Sequence, residues 1–275
     1  MSFYTSLSGL RGAQTDLSVI SNNLANVGST GFKRSKAQFG DLFSSAPTQS
    51  SRMTAGHGTR LSGVTQQFTQ GTLEATDKSL DLAIAGDGFF VVRGEAPRED
   101  VSYTRSGSFT VRTDRQVVDS IGSTLQLLPV DTDGNVTATT IADAKNFVLP
   151  VNSSVNPSAS LVNVSVGDDG LVTATYSDGS DEKLGKVAMA SFTAQEGLRP
   201  IGDAHWQSTG DSGPAAINAP TNGPLGAIRA GALERANVDV TEELVSLIAA
   251  QRNFQANAKA IETAGTLTQT IVNIN

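Results

Sequence analysis

Apolar residues recur every seventh position at both ends of this chain. Phe3, Leu10, Leu17 and Leu24 stand seven apart, with Ala13, Ile20 and Val27 interleaved. Near the other end Leu247, Phe254 and Ile261 repeat at seven, with Leu244, Ala258 and Val272 on the neighbouring seam. Such repeats hold one face of a helix against a partner helix. Two stripes of similar length, far apart in sequence, most simply find each other. The pattern predicts an α+β fold: a discontinuous coiled-coil domain made by both chain ends, around a central, mainly-β domain.

The first helix is expected over residues 3–27. Asn26-Val27-Gly28-Ser29-Thr30-Gly31 follows and supplies a C-cap glycine and turn formers. The last helix starts at Asn237-Val238-Asp239, and Asp239 three residues before Glu242 makes a capping box. No proline interrupts it before Ile274, which gives a rod of about 50 Å at 1.5 Å per residue. That is longer than one small β-domain can cover. Leu10, Leu17, Ile20, Leu24, Leu244, Leu247, Phe254 and Ile261 are therefore nominated as a seam for pairing and for subunit contact. In a dilute monomer both helices are expected to be poorly ordered, because a long helix without packing is marginal.

Between the helices the period changes. Phe32 to Phe43 has apolar anchors at Phe32, Phe39, Leu42 and Phe43, and Ser44 to Arg60 is a Ser/Thr/Gly-rich stretch expected to be a loop. Short runs with strand character follow at Val64–Phe68, Leu80–Ile84, Phe89–Val92, Ser108–Val111 and Leu125–Val130. Leu171–Tyr176, the turn at Asp178-Gly179 and Lys186–Phe192 predict a hairpin. Residues 61–230 should then supply the β-body's own core, and Thr209–Gly226 a loose return.

Composition narrows the chemistry. The formal charge is −7, which argues against a nucleic-acid partner, since phosphate binding needs clustered Lys and Arg. There is no cysteine, so disulfides and thiolate metal sites are out. The two histidines, His57 and His205, have no ligand at helical spacing, so no metal is expected. Asp131-Thr132-Asp133-Gly134-Asn135 opens like a calcium loop, but Ala142 stands where a bidentate Glu is required. Gly86-Asp87-Gly88 leads into an apolar run and not a helix, so it is no phosphate loop. No nucleophile setting appears. Neither enzyme activity nor a cofactor or small-molecule ligand is expected. A β-sheet ligand-binding module would need clustered exposed aromatics, and Tyr103, Tyr176 and Trp206 are scattered.

Ser21-Asn22-Asn23-Leu24-Ala25-Asn26 followed by Gly31-Phe32-Lys33 resembles the N-terminal signature of the axial proteins of the bacterial flagellum, the rod, hook and hook-associated proteins. Leu80-Asp81-Leu82-Ala83-Ile84, Gly86-Asp87-Gly88-Phe89-Phe90 and Tyr103-Thr104-Arg105-Ser106-Gly107-Ser108-Phe109 resemble the start of their inner β-domain. Gly231-Ala232-Leu233-Glu234, Asn237-Val238-Asp239 and Ala250-Gln251-Arg252-Asn253-Phe254-Gln255-Ala256-Asn257 match their closing motif. The ending Ile261 to Ile274, Phe39-Gly40-Asp41-Leu42-Phe43 and Val64 to Gly71 are similar to hook proteins. The chain lacks room for the outer domain that hook proteins usually insert, which keeps a distal-rod protein as the alternative.

The resemblance implies a homo-oligomeric, tubular helical polymer whose terminal helices surround an export channel. As a hook it would be the flexible coupling that passes torque from rod to filament; as a rod, a stiff drive shaft. Implied partners are neighbouring axial proteins (distal rod, hook cap, hook–filament junction) and the type III export apparatus. The N-terminus does not read as a cleaved signal peptide, which agrees with export by that route to an extracellular place in the hook–basal body. The implied partition is a helical domain of 1–30 with 236–275, a connecting segment of 31–72 with 226–235, and a β-domain of 73–225 with at most a vestigial outer-domain insertion near 130–161.

Overall fold

A computed structural model describes residues 2–43, 56–95, 100–153 and 156–274. The chain forms two compact units. One comprises Met1–Val27, Arg34–Gln67 and Val238–Asn275; the other comprises Gly28–Lys33 and Phe68–Asn237.

The first unit has two helices and a hairpin. Helix α1 spans Ser2–Ala25 and helix α2 spans Val240–Ile274. Strands β1 (Ser35–Phe43) and β2 (Gly56–Gln66) pair antiparallel. The helices run antiparallel: a Cβ on Gly9 would come within 2.7 Å of Asn257 Oδ1, while Asn23 reaches Glu243 at the other end. α2 is capped as expected, since Asp239 Oδ1 accepts from Thr241 N at 2.7 Å and Glu242 N at 3.2 Å. The Glu242 side chain does not close the box; it pairs with Arg34 instead.

Of the two glycines after α1, Gly31 is the left-handed one, at φ 70°. Two expectations change here. Residues 56–60, read as loop, belong to β2, while 44–55 of that stretch lie outside the described residues. Phe39 and Leu42, read as anchors, stand 41% and 37% exposed on the hairpin. The helices of one chain also have tertiary packing. α1 meets α2 and both hairpin strands.

The second unit is built on an antiparallel sheet whose central strand, Phe89–Arg93, explains the layering. Phe90 and Val92 enter one core with Leu125, Phe147, Val172 and Met189. Phe89 and Val91 enter the other with Tyr103, Phe192 and Trp206. Both faces are covered, so four consecutive apolar residues are needed and alternation is lost. The strand Leu171–Tyr176 is covered on one face only, and there alternation returns. It forms the expected hairpin, but the return strand is Asp181–Val187, earlier than read from sequence, because Gly179 at φ 81° closes the turn at once.

Residues 61–230 do not complete this core. Ala232–Glu234 pairs with Leu73–Ala75, Ala227–Ala230 pairs with Leu82–Ala85, and Lys33 is fully buried in the same unit. Residues 216–218, within the stretch read as a loose return, form a strand against Met189–Ser191.

Candidate functional site

The helix and hairpin unit is the part of the molecule whose apolar surface is least covered by its own chain. Of the nominated seam, only Ile20 is buried, at 5% exposure. Leu10, Leu17, Leu24, Leu247, Phe254 and Ile261 are half-buried. Leu244 is 43% exposed, so its place on the pairing seam is corrected. The inner positions of α2 are Glu243, Leu247, Ala250, Phe254, Asn257 and Ile261, stepping by four and three. Glu243 and Ala250 are 2% and 1% exposed. The heptad was anchored correctly at Leu247, but its partner row was read one residue late.

With Leu244 off the seam, an outward apolar strip remains on α2. Val240, Leu244, Val245 and Ile248 are 41–63% exposed; the last three sit on a helix face away from the inner row, while Val240, seven residues before Leu247, is in line with it at the helix's first residue. On α1, Phe3 and Tyr4 stand 44% and 75% exposed. The hairpin adds Phe39, Leu42, Leu61 and Val64, each 37–47% exposed. α2 is also the longer helix, 35 residues against 24. Counting from the Gly9–Asn257 contact, α1 ends opposite residue 264, and from 265 to 270 every α2 residue is exposed, with Leu267 at 64%.

The motif residues have separable jobs. Asn22 is exposed, and its carbonyl accepts from Asn26 N at 3.2 Å and Asn26 Nδ2 at 2.9 Å, closing the last turn of α1. Asn23 is buried; its amide pairs both ways with the Ser35 backbone, at 2.8 and 2.9 Å, and touches Glu243 at 3.4 Å. Leu24 is half-buried and Ala25 exposed. In the other unit Gly31 is buried, with its N–H on the Glu234 carbonyl at 2.8 Å. A Cβ there would lie 2.4 Å from Ser106 N, so glycine is required by space as well as by φ. Phe32 is half-buried.

Sequence reasoning missed the charged groups. Lys33, Glu234 and Arg105 form a buried ionic cluster, with Lys33 Nζ to Glu234 Oε1 at 2.7 Å and Arg105 Nη1 to Glu234 Oε2 at 3.2 Å. Burial pushes the Lys33 ammonium below the usual lysine range, and the Glu234 carboxylate beside it opposes that shift. In the helical unit the Arg34 guanidinium holds Glu242 below the usual carboxylate range. Asp16 on α1 is raised by its partial burial. Lys33 could have been flagged, since it closes the Gly-Phe-Lys motif; nothing local marks Glu234.

Elsewhere the chemistry is structural. Asp131 Oδ1 accepts from Asp133 N and Asn135 N, which makes the calcium-like run an ordinary turn. Tyr103, Tyr176 and Trp206 are all buried, so none can form an exposed aromatic platform. Among the described residues no group of His, Asp and Glu could hold a metal ion. No helix there is long and apolar enough to cross a membrane.

The arrangement therefore offers surface, and comparison with known proteins agrees. Residues 3–33 match the family described as flagella basal body rod protein, 83–174 the flagellar hook protein FlgE/F/G D1 domain, and 229–274 the flagellar basal body rod FlgEFG protein C-terminal family. The flagellar basal-body rod protein FlgG of Bacillus subtilis is 33% identical over 285 residues, covering 99% of this chain and 98% of that one. FlgG of Borreliella burgdorferi is 32% identical, covering 95% and 93%. The flagellar hook protein FlgE of Escherichia coli is 27% identical over 411 residues, covering 100% of both. Matched at both ends and through the centre, and by relatives above 30% identity along nearly its whole length, the chain belongs to the flagellar rod and hook family of structural, non-enzymatic proteins.

Proposed function

We propose that this chain polymerises into a tube in which α1 and α2 of successive copies pack side by side, and that the tube is the flagellar hook. The observation that carries assembly is the strip Leu244, Val245 and Ile248, exposed on a helix that already has an intramolecular partner on another face. Contiguous exposed apolar residues of that kind are met on surfaces that another protein covers. A patch that packs on a different patch of the next copy makes a heterologous contact, which propagates as a ring or helical array.

The hook assignment is supported by the closing stretch from Ile261 to Ile274 and by an alignment to the hook protein that takes in both chains end to end. The excess of 411 aligned positions over 275 residues falls inside the chain, where hook proteins carry the added domain that this chain has no room for, and this counts against the hook. Length favours a second reading, the distal rod, because the rod protein FlgG of B. subtilis is matched over 285 positions without a large insertion.

Basal bodies isolated from the source bacterium after deletion of this gene separate the two. A complete rod without a hook supports the hook reading; a shortened rod moves the chain into the rod. For assembly itself, Ile248→Asp should abolish tube formation by purified protein at concentrations where the parent assembles. Tubes of normal yield from that variant would sink the proposed contact.

A further inference from the structure

The chain crosses between its two units four times, after residues 27, 33, 67 and 237. Each unit gathers its own ends of these four connections. In the β-unit the collector is Glu234. Its carboxylate accepts from Lys33 Nζ at 2.7 Å, from Gly71 N at 2.8 Å and from Arg105 Nη1 at 3.2 Å. Its carbonyl accepts from Gly31 N at 2.8 Å. Lys33 Nζ also donates to the Thr69 carbonyl at 2.8 Å, and Asn237 Nδ2 donates to the same carbonyl at 3.1 Å. Residues 31 and 33, 69 and 71, and 234 and 237 are thus held on one network, with the Lys33 and Glu234 side chains at its centre fully buried.

The helical unit has its own collector. Asn23, ahead of the first crossing, is paired to Ser35, just after the second. Arg34 Nε reaches Glu243 Oε1 at 3.1 Å, Arg34 Nη1 reaches Glu242 Oε2 at 3.0 Å, and the Arg34 carbonyl accepts from Gln67 N at 2.8 Å. Glu243 is 3% exposed at its side chain and also contacts Asn23.

A buried carboxylate serving two cations is an expensive way to hold a fold together. Apolar replacements of similar volume often stabilise as well or better. What the ionic version adds is specific geometry: three donors from three sequence-distant segments fixed on one group. We propose that Glu234 in one unit, and Asn23 with Glu243 in the other, are clamps that make the four connecting segments move as one, so that a twist applied to any of them is shared by all. The use of that device for torque rests on the axial-polymer reading; the clamp itself does not.

Amide hydrogen exchange on the full-length protein tests the clamp. In Glu234→Gln, exchange at Gly31 and Gly71 should rise by more than about 100-fold, the scale of breaking a buried pair on one side. Val172 and Ala174, in a strand that makes no part of the network, should keep their protection. A uniform rise at all four amides would mean that Glu234 only stabilises the unit, and would overturn the clamp. If Glu234→Gln does not fold, Lys33→Met decides, because Glu234 there keeps Arg105 and Gly71. It removes the two hydrogen bonds of the Lys33 ammonium and should raise exchange at Gly31 by about tenfold or more, and no change would again overturn the clamp. Swimming in media of increasing viscosity then tests the mechanical use. Polymers of the variant should form and fail as load rises, and equal swimming at every viscosity overturns that use. Failure of the parent protein itself to polymerise would instead strike the axial reading and leave the exchange result standing.

Discussion

The strand Phe89–Arg93 and the first turns of α2 are both crowded with large apolar side chains, and they meet opposite fates. Phe89, Phe90, Val91 and Val92 are all fully buried, while Val245 and Ile248 are 63% and 51% exposed. The β-unit covers its own central strand on both faces. The helical unit covers one face of each helix and leaves a second face open. Similar hydrophobicity therefore means self-sufficiency in one unit and an expectation of company in the other.

The comparison can be broken most forcefully in the β-unit. Phe90→Ala removes a ring held among Leu125, Val172 and Met189 and stacked edge-on against Phe109 at 5.6 Å. Loss of about 3–5 kcal/mol is expected, typical for emptying such a site. Trp206 lies in the opposite core of the same unit, so its fluorescence should report cooperative unfolding at a lower denaturant midpoint. A midpoint within experimental scatter of the parent would show that the two cores are not one cooperative body.

The matching change in the helical unit should cost less. Ile20→Ala acts on the one fully committed seam residue, yet its seam neighbours Leu17 and Leu24 are half-buried and can relax into the gap. About 2 kcal/mol is expected, the low end for such truncations, because alanine also raises helix propensity. The loss should appear in helical circular dichroism while the Trp206 transition stays in place. Movement of both signals together would contradict the separation into two units.

The same contrast shows what was legible beforehand. Both helices, the Asp239 cap and the hairpin at Gly179 were readable because each rests on a local rule of spacing or turn chemistry. The Leu244 assignment failed because a heptad anchored at Leu247 can step back by three or by four. The polar Glu243, which holds the true position, is acceptable only because Asn23 and Arg34 meet it. Gly56–Arg60 passed for loop because glycine and threonine carry no period, although β1 lies opposite to pair with it. Lys33 and Glu234 are 201 residues apart, and ionic partners at that range have no signature in a single sequence. The assembly surface was half legible: the stripes told which helices pair, and only the structure told which apolar residues are left over.

The smallest effect expected is also the most specific to the β-unit's joint. Burial lowers Lys33 from the ordinary lysine value of 10.5, with Glu234 pulling the other way. Between its lowered folded value and 10.5 the folded chain therefore binds fewer protons at this site than the unfolded chain. Stability must then rise with pH across that window, and below it the contribution is flat. Deprotonation need not break the network, since a neutral amine still has two hydrogens for the Thr69 carbonyl and Glu234. Other lysines and tyrosines titrate in the same range, so the test is a difference. Denaturant midpoints of the parent and of Lys33→Met, measured from pH 7 to 10.5, should show the parent gaining on the variant as pH increases. A difference that is constant, or that shrinks, would mean the Lys33 charge is not penalised by its burial. Exposed Glu242, lowered by Arg34 on the helical side, should contribute nothing over that range, because it stays ionised in both states.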